Sequence, residues 1–485
     1  MRHTACYLPF LLVFPAFVAG QTPKPNPLAP YISVDAPVLA LEHVEVIDGT
    51  GGPAKMDQAI VLSHGKIAKV GPAATTAVPA EAKVMDLTGH TVYPGLVGMH
   101  EHLFYPTPDR GPGGLALYGE MGDSAPRLYL AGGVTTARTT GSIQEYTDIS
   151  VKHLIDAGQI PGPELFLTSP YLEGVGAYTP DMHELTGPED AKRMVDYWAT
   201  EGITSYKAYM DISPVELKTA IDEAHALGLK ITGHLCSIGF KEAAAMGIDN
   251  LEHGLVVDTE FFPGKKEGVC PDSNKAVDAL AKMDVEGPQI QGTIKDLIAH
   301  HVAVTSTLAV FEMLAPNRPP MSYETQVRNA LLPDAWGAYL TLRAEVAERA
   351  AKSQWPWAKL LKMEMQFEHD FAKQGGLLMA GCDPTGIGGV VPGYCDQREL
   401  ELLVEAGFTP EQAIHVFSEN GATWLGQAQR IGTIAAGKQA DLVVVKGDVA
   451  KNISAVEDVE TVFKKGVGFD SQKLRDSVRG MVGLR

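Results

Sequence analysis

Residues 93–104, YPGLVGMHEHLF, join an apolar stretch to a His-x-His pair. The apolar stretch is typical of a buried β-strand, in which the side chains at positions i and i+2 point to the same face. His100 and His102 therefore share a face, whereas Glu101 points away from it and is expected to be structural. Two neighbouring imidazoles can bind one metal ion. A single His-x-His pair is common by chance, so its meaning depends on the rest of the chain.

Further apolar runs of the same kind follow, and helical patterns separate several of them. Together with the first run, they span 91–99, 133–140, 164–169, 204–210, 230–235, 250–255, 302–308 and 377–382. Between them, segments such as 188–202 show the i, i+3, i+4 spacing of apolar residues that is typical of helices. Apolar strands that alternate with helices indicate a parallel sheet, and eight such units predict an α/β fold of the (β/α)8 TIM-barrel type.

Side chains that can bind metal lie in or at the ends of these predicted strands. Lys207 lies in the fourth run, His234 in the fifth, His253 in the sixth, and Asp383 directly follows the eighth. Each has an ordinary explanation when taken alone: a core histidine, a lysine that reaches the surface, or a turn residue before a proline. Active sites of such barrels gather at the carboxyl ends of the strands. Together with the His-x-His pair, these residues therefore predict one metal centre.

The predicted ligands are nitrogen and oxygen atoms without thiolates. This donor set fits zinc, manganese, cobalt, nickel or iron, with zinc as the default. Four His, one Lys and one Asp are enough for two ions about 3.5–4 Å apart, the usual spacing of two-metal sites. A lysine in a buried strand is costly unless its charge is paired or chemically altered.

The two ends of the chain have a different pattern from its middle. Residues 38–91 alternate short β-rich runs with tight turns, and similar material returns at 431–448 and 460–468. We expect both ends to build one small β-sandwich domain. The predicted limits are a signal peptide at 1–20, the first part of the sandwich at 21–91, the barrel at 92–428 and the second part of the sandwich at 429–485.

The first residues indicate export. Arg2 precedes an apolar segment at 7–19, and the small residues Val18 and Gly20 lie near its end, as in a secretory signal peptide. The segment is shorter than the ~20 residues that span a bilayer. We therefore expect a secreted or periplasmic protein that has no membrane association once the signal is removed.

Charge and cysteine content exclude some functions and leave others open. The 485 residues include 59 acidic and 40 basic ones, and the formal net charge of −19 would repel a phosphate backbone, so a nucleic acid partner is not expected. Cys236, Cys270, Cys382 and Cys395 could pair after export, but their spacing does not decide the pairing. A homo-oligomer also stays open.

The chain resembles the amidohydrolase superfamily, in its branch with two metal ions and a carboxylated lysine. The lysine strand is similar to that of dihydropyrimidinases, and the helical segment 398–414 (RELELLVEAGFTPEQAI) is similar to that of imidazolonepropionases and prolidase-like dipeptidases. The motifs that carry the resemblance are PGLVGMHEH (94–102), GVTTARTTG (133–141), TSYKAYM (204–210), TGHL (232–235), NLEHG (250–254), AGCDPTG (380–386) and GTIAAGKQADLVVV (432–445).

The resemblance implies a role for each predicted ligand. The His-x-His pair would bind a buried metal ion, and His234 and His253 would bind a more exposed one. Lys207 would be carboxylated and bridge the two ions as a carbamate. Asp383 would bind the buried ion and shuttle a proton.

The implied function is hydrolysis of an amide C–N bond in a small molecule: a dipeptide, an N-acyl amino acid or a cyclic amide, with a hydrophobic group. A hydroxide that bridges the metal ions would attack the carbonyl, and Asp383 would pass the proton to the leaving group. Tyr178, His183 or Tyr209 would donate a hydrogen bond to the oxyanion. The alternatives are an esterase, lactonase or carbamate hydrolase that uses the same metal site, or a non-catalytic binding protein on the same barrel.

Overall fold

The computed structural model describes residues 26–108, 116–352, 355–384 and 388–483. The predicted signal peptide lies outside the described residues, so secretion or a periplasmic location stays a prediction. Among the described residues, no helix combines the length and the apolar character that crossing a membrane requires. The predicted domain limits also stay predictions.

Both ends of the chain contribute strands to one sheet. The amino-terminal strands are β1 (Ile32–Val34), β2 (Val38–Val46), β3 (Lys55–Ser63), β4 (Lys66–Pro72), β5 (Lys83–Asp86) and β6 (His90–Pro94). The strands of the central region are β7 (Leu96–Glu101), β8 (Phe104–Pro106), β9 (Tyr118–Glu120), β10 (Val134–Thr139), β11 (Glu164–Phe166), β12 (Thr168–Leu172), β13 (Ser205–Ala208), β14 (Lys230–Gly233), β15 (Asn250–Glu252), β16 (Ala303–Ser306) and β17 (Leu378–Ala380). The carboxy-terminal strands are β18 (Leu442–Lys446), β19 (Val459–Lys464) and β20 (Val467–Asp470).

Helices separate most of the central strands. They are α1 (Ser124–Ala131), α2 (Glu145–Asp156), α3 (Pro188–Thr200), α4 (Pro214–Ala226), α5 (Phe240–Met246), α6 (Ser273–Leu280), α7 (Pro288–Ala299), α8 (Leu308–Glu312), α9 (Met321–Arg328), α10 (Pro333–Lys352), α11 (Trp357–Lys373), α12 (Tyr394–Glu405), α13 (Pro410–His415), α14 (Gly421–Trp424) and α15 (Ser471–Ser477). Local chemistry sets several of their starts. Before α4, for example, the Ser213 hydroxyl accepts a hydrogen bond from the Glu216 backbone, and the Glu216 carboxylate accepts one from the Ser213 backbone.

The terminal sheet has the strand order β1-β20-β19-β18-β6-β2-β3-β4, with β5 paired to β2. Strand β18 is antiparallel to β6, and this pairing joins the two ends of the chain. The sheet buries an apolar core of its own, which includes Leu41, Ile60 and Leu442. Strands from both ends of the chain therefore pair in one sheet, and the small β-sandwich domain that we expect from them stays a prediction.

Apart from β8 and β9, which pair antiparallel with each other, the central strands form two parallel sheets, and this confirms the mixed α/β fold. One sheet has the order β11-β10-β7 and the other the order β12-β13-β14-β15-β16-β17. All the apolar runs predicted as strands contain a strand. The contacts that link the sheets include a parallel bridge between Ser142 and Pro170 and a 3.0 Å hydrogen bond from the Asp383 backbone N–H to the His100 carbonyl. The helices pack their apolar faces on these strands, and the carboxyl ends of the strands carry the side chains described next.

Candidate metal centre

The predicted ligands lie at the carboxyl ends of five parallel strands. His100 is in β7 and His102 directly follows it, Lys207 is in β13, His234 and His253 directly follow β14 and β15, and Asp383 follows β17. All of them are buried except His234, which is half-buried. Residues far apart in the sequence therefore meet at one end of the parallel strands, as their positions predicted.

Asp383 lies at the centre of this cluster. Its Oδ1 atom is 3.3 Å from His102 Nε2 and 3.7 Å from His100 Nε2, and its Oδ2 atom is 4.0 Å from His253 Nε2. The rings of His100 and His253 are 4.6 Å apart, and those of His253 and His234 are 4.3 Å apart. One ligand atom each from His100, His253 and Asp383 lie within 4.8 Å of one another, a group compact enough to hold a metal ion.

The other ring nitrogen of three histidines is fixed by a partner. Nδ1 of His100 lies 2.8 Å from Glu252 Oε2, Nδ1 of His102 lies 3.0 Å from the Gly141 carbonyl, and Nδ1 of His253 lies 2.7 Å from Thr307 Oγ1. A ring that donates its Nδ1 proton to an acceptor keeps Nε2 free of a proton, and Nε2 then can bind metal. The Nε2 atoms of all three rings face Asp383.

The titration behaviour of the cluster agrees with neutral imidazoles around one carboxylate. Burial lowers the pKa of His100 to about 4 and that of His234 to about 3. Burial alone would raise the pKa of Asp383. The electrostatic effect of His100 and the hydrogen bond with His102 are together stronger than the effect of burial, and they hold the pKa of Asp383 well below its usual range. Neutral imidazole and ionised carboxylate are the protonation states that bind divalent metal ions.

Lys207 provides the sharpest test of whether the cluster fits a metal centre. Its side chain is buried, and its Nζ atom makes no hydrogen bond within the described part of the chain. Burial lowers its pKa to about 8. A buried polar group without a partner is costly, and an ammonium group more so. Lys207 therefore fits a site in which its amine nitrogen bonds to a group that is not part of the polypeptide.

A fully paired ion pair lies beneath the cluster, and the sequence analysis did not identify it. Arg138 Nη2 lies 2.7 Å from Glu252 Oε1, and both side chains are buried. Arg138 also donates hydrogen bonds to the Met99 carbonyl at 2.8 Å and to Asn250 Oδ1 at 3.0 Å, and it stacks on Trp424. The sequence signal was a pair of opposite charges in two predicted buried strands.

The candidate substrate contacts separate into two groups. The Tyr209 ring is 5.0 Å from the His234 ring, and the hydroxyl groups of Tyr178 and Tyr209 are 3.5 Å apart. Tyr171, which the sequence analysis did not single out, lies 4.6 Å from Tyr209, measured between ring centres. His183 lies instead in the segment before α3, where its Nε2 is 2.8 Å from an oxygen of Asp190 in the first turn of that helix and its side chain is 43% exposed.

Two apolar rings lie beside His253. The Phe311 ring from α8 is 5.7 Å from the His253 ring, and Phe311 stacks on Trp357 at 5.8 Å. The surroundings of the cluster therefore offer tyrosine hydroxyl groups near His234 and hydrocarbon near His253.

Disulfides, whose pairing the sequence left open, flank two of the predicted ligands. Cys236, two residues after His234, pairs with Cys270, and Cys382, directly before Asp383, pairs with Cys395. Each bond ties a strand end of the cluster to a later segment of the chain.

The fold and the cluster together define a mixed α/β protein with a candidate metal centre at the carboxyl ends of its parallel strands. Residues 371–467 match the profile of the Amidohydrolase family. An imidazolonepropionase of Parabacteroides distasonis is 29% identical over 104 residues, which make up 20% of this chain and 25% of that protein. The match with this chain therefore spans about a quarter of the length of this curated relative.

Solved structures of similar proteins match over a larger part of the chain. A Bifidobacterium longum protein that bears the name prolidase is 25% identical, with a TM-score of 0.61 over 91% of this chain and 98% of that one. A Xaa-Pro dipeptidase with bound methionine is 19% identical, with a TM-score of 0.64 over 89% of this chain and 100% of that one. The resemblance to the amidohydrolase superfamily is confirmed.

Proposed function

We propose that this protein is a metal-dependent hydrolase that cleaves an amide C–N bond of a small molecule. The single observation that carries the proposal is the convergence of His100, His102 and His253 on Asp383, with the His234 ring beside that of His253 and the Lys207 amine buried and without a hydrogen bond in the described part of the chain. The family match and the curated relative support the same class of reaction.

We also propose that the parallel strands close into the predicted (β/α)8 barrel and that the terminal sheet folds as the predicted sandwich. The Ser142–Pro170 bridge and the bond from Asp383 to the His100 carbonyl support closure, because each lies at a junction between the two parallel sheets. Closure would direct the carboxyl ends of all these strands into one mouth.

The proposed centre holds two divalent ions, with zinc as the default. Its ligands would be His100, His102, Lys207, His234, His253 and Asp383. We propose that Lys207 is carboxylated: its ammonium group loses one proton, and the neutral amine adds to carbon dioxide. One N–C bond forms, one C–O π bond of carbon dioxide breaks, and a second proton leaves the nitrogen. The product is a carbamate whose oxygens can bind cations, and this change removes the cost of the buried ammonium charge.

The chain's own residues would carry the proton and orient the substrate. Divalent ions bound here would supply Lewis acidity and activate water. Asp383, ionised at neutral pH, accepts the proton of the attacking water and returns it to the leaving nitrogen. The hydroxyl groups of Tyr178 and Tyr209 donate hydrogen bonds to the carbonyl oxygen as its charge develops. His183 pairs with Asp190 of α3 instead of with either tyrosine, so we do not propose it as a donor.

The proposed substrate is a dipeptide, an N-acyl amino acid or a cyclic amide that carries a hydrophobic group. The stacked Phe311 and Trp357 rings support the hydrophobic group, and the names prolidase and Xaa-Pro dipeptidase among the similar structures support a dipeptide.

Export is proposed from the sequence of residues 1–20, and the disulfides agree with an oxidising compartment.

A substrate panel tests the proposal. Metal-free and zinc-loaded protein are compared on N-acyl amino acids, dipeptides and cyclic amides, each with the matched ester or lactone. We expect zinc-dependent release of amine, and the His183→Ala variant should retain it because this exposed residue lies outside the cluster. Hydrolysis of the esters alone would favour the esterase alternative, and no turnover of any member with zinc and bicarbonate supplied would contradict the proposal.

A further inference from the structure

Two buried glutamates of the outer helices reach the turns on either side of the His253 imidazole. Glu364 is on α11 and Glu399 on α12, and both side chains are fully buried. Neither residue is among the predicted ligands. The turn after β15 carries His253, and the turn after β16 carries Thr307, whose hydroxyl is the partner of His253 Nδ1.

Glu399 holds the turn on both sides of Thr307. Its Oε1 atom accepts a hydrogen bond from the Leu308 backbone at 3.1 Å, and its Oε2 atom accepts one from the Ala309 backbone at 2.8 Å. The Ser306 hydroxyl lies 2.6 Å from the same carboxylate. The residue before Thr307 and the two residues after it are thus tied to one side chain, so the position of the Thr307 hydroxyl depends on Glu399.

Glu364 holds the turn that follows His253. Its two oxygens accept hydrogen bonds from the backbone of Leu255 at 3.0 Å and of Val256 at 2.7 Å. His253 itself has a φ of +69°, a conformation that L side chains rarely adopt. Gly254 also has a positive φ, and a Cβ atom there would lie 2.0 Å from Glu364 Oε1. The chain therefore keeps an uncommon backbone at His253 and leaves room for the carboxylate that fixes it.

Ordinary packing does not account for this arrangement. Burying a carboxylate is costly unless its oxygens are hydrogen-bonded, and an apolar residue would fill the same space at no such cost. Both carboxylates accept hydrogen bonds from the backbone of irregular turns. One of these turns carries His253, and the other carries Thr307, the partner of the His253 ring. Strained backbone of this kind persists where the surroundings over-determine it, which is common at functional sites.

We propose that Glu364 and Glu399 are positioning residues that set the orientation of His253 for metal binding. This inference rests on the proposed function, since it assumes that His253 binds a metal ion. Glu364 fixes the backbone that carries the ring, and Glu399 fixes the hydroxyl that accepts the Nδ1 proton. Each therefore raises the affinity of the centre for metal without touching the ion.

The zinc affinity of Glu364→Gln and Glu399→Gln, measured by competition with a chelator, tests the proposal. Glutamine keeps the size of the side chain but loses one acceptor oxygen. We expect the affinity to fall about 10–100-fold, the usual effect of removing a partner that orients a metal ligand. Thermal unfolding of the metal-free variants reports stability separately, and the readout does not depend on turnover.

Glu145→Gln is the matched control. Glu145 is buried on α2, and neither of its carboxyl oxygens makes a hydrogen bond to either turn within the described part of the chain. We expect its zinc affinity to stay within twofold of wild type. An equal fall in this control, or unchanged affinity in both test variants, would overturn the positioning role.

A double variant tests the route from Glu399 to His253. Thr307→Val removes the acceptor of the Nδ1 proton, so adding Glu399→Gln to it should lower the affinity no further. Additive losses would overturn the route through Thr307. If Glu399→Gln does not fold, Glu364→Gln tests the proposal through the other turn. Wild-type protein that binds no zinc would refute the proposed function, whereas zinc binding with unchanged variants would refute only the positioning role.

Discussion

Lys207 in the parallel strand β13 and Lys464 in the terminal strand β19 have the same lowered pKa but different surroundings. Burial lowers the pKa of each to about 8. Lys464 is half-buried and donates a hydrogen bond to the Gly162 carbonyl at 2.5 Å, whereas Lys207 is buried and its amine has no hydrogen bond in the described residues. The pKa therefore does not separate a reactive lysine from a structural one, and the hydrogen-bond partners do.

The aspartates near these lysines also have different surroundings. Asp441 interacts with Lys464, and its oxygens accept hydrogen bonds from the Lys465 backbone at 2.7 Å and from Gln439 at 2.6 Å. Asp383 instead faces the Nε2 atoms of three histidines at 3.3 to 4.0 Å. Backbone and amide groups therefore surround the aspartate of the terminal sheet, whereas imidazole rings surround the aspartate of the candidate centre.

The largest expected effect comes from changing one aspartate of each region. Asp383→Asn should lower kcat for the amide substrate by about 10²–10⁴-fold, the usual contribution of general acid–base catalysis, because the amide cannot accept and return the proton. Asp441→Asn should leave the kcat of folded protein within twofold of wild type. Steady-state kinetics at matched zinc occupancy measure both. Equal losses in the two variants would show that the regions do not differ as described.

The next effect concerns stability. In metal-free protein, Lys207→Met should raise the free energy of unfolding by about 1–3 kcal/mol, because it removes a buried amine that lacks a partner. Lys464→Met should change it by about 1 kcal/mol or less, since the lost hydrogen bond offsets the relief of burial. Urea unfolding monitored by circular dichroism measures both values. A loss of stability in Lys207→Met would contradict the comparison.

The third effect is a pH dependence shared by the two lysines. Both have a pKa of about 8 in the folded chain against a usual value of 10.5. Between these values the unfolded chain binds more protons than the folded chain, so the free energy of unfolding of metal-free protein should rise with pH across this window. Each Lys→Met variant should lose part of the rise, and the double variant most of it. An unchanged slope in the double variant would contradict the assignment.

The sequence predicted the parts of the site that follow a local rule. The two-residue period of a strand placed His100 and His102 on one face, and the rule that sites gather at strand ends identified Lys207, His234 and Asp383. These rules need only the position of a residue within its own strand. The same reasoning predicted the parallel strands, which the structure has at each of the apolar runs.

The parts that were missed depend on contacts between distant segments. Arg138 and Glu252 are 114 residues apart, and a charge in a buried strand shows that a partner exists without showing which residue it is. Glu364 and Glu399 lie in helical patterns rich in charged residues, where most glutamates face solvent. His183 follows no strand or helix period in its loop, so nothing in the sequence placed it at α3 rather than beside Tyr178.

The proposed metal centre is tested by the metal content per chain, measured by plasma mass spectrometry on protein purified without chelators. We expect close to two divalent ions per chain in wild type and in Lys464→Met, and fewer in Lys207→Met, because only Lys207 is a proposed ligand. No bound metal in wild-type protein, even after zinc and bicarbonate are supplied, would contradict the proposed centre.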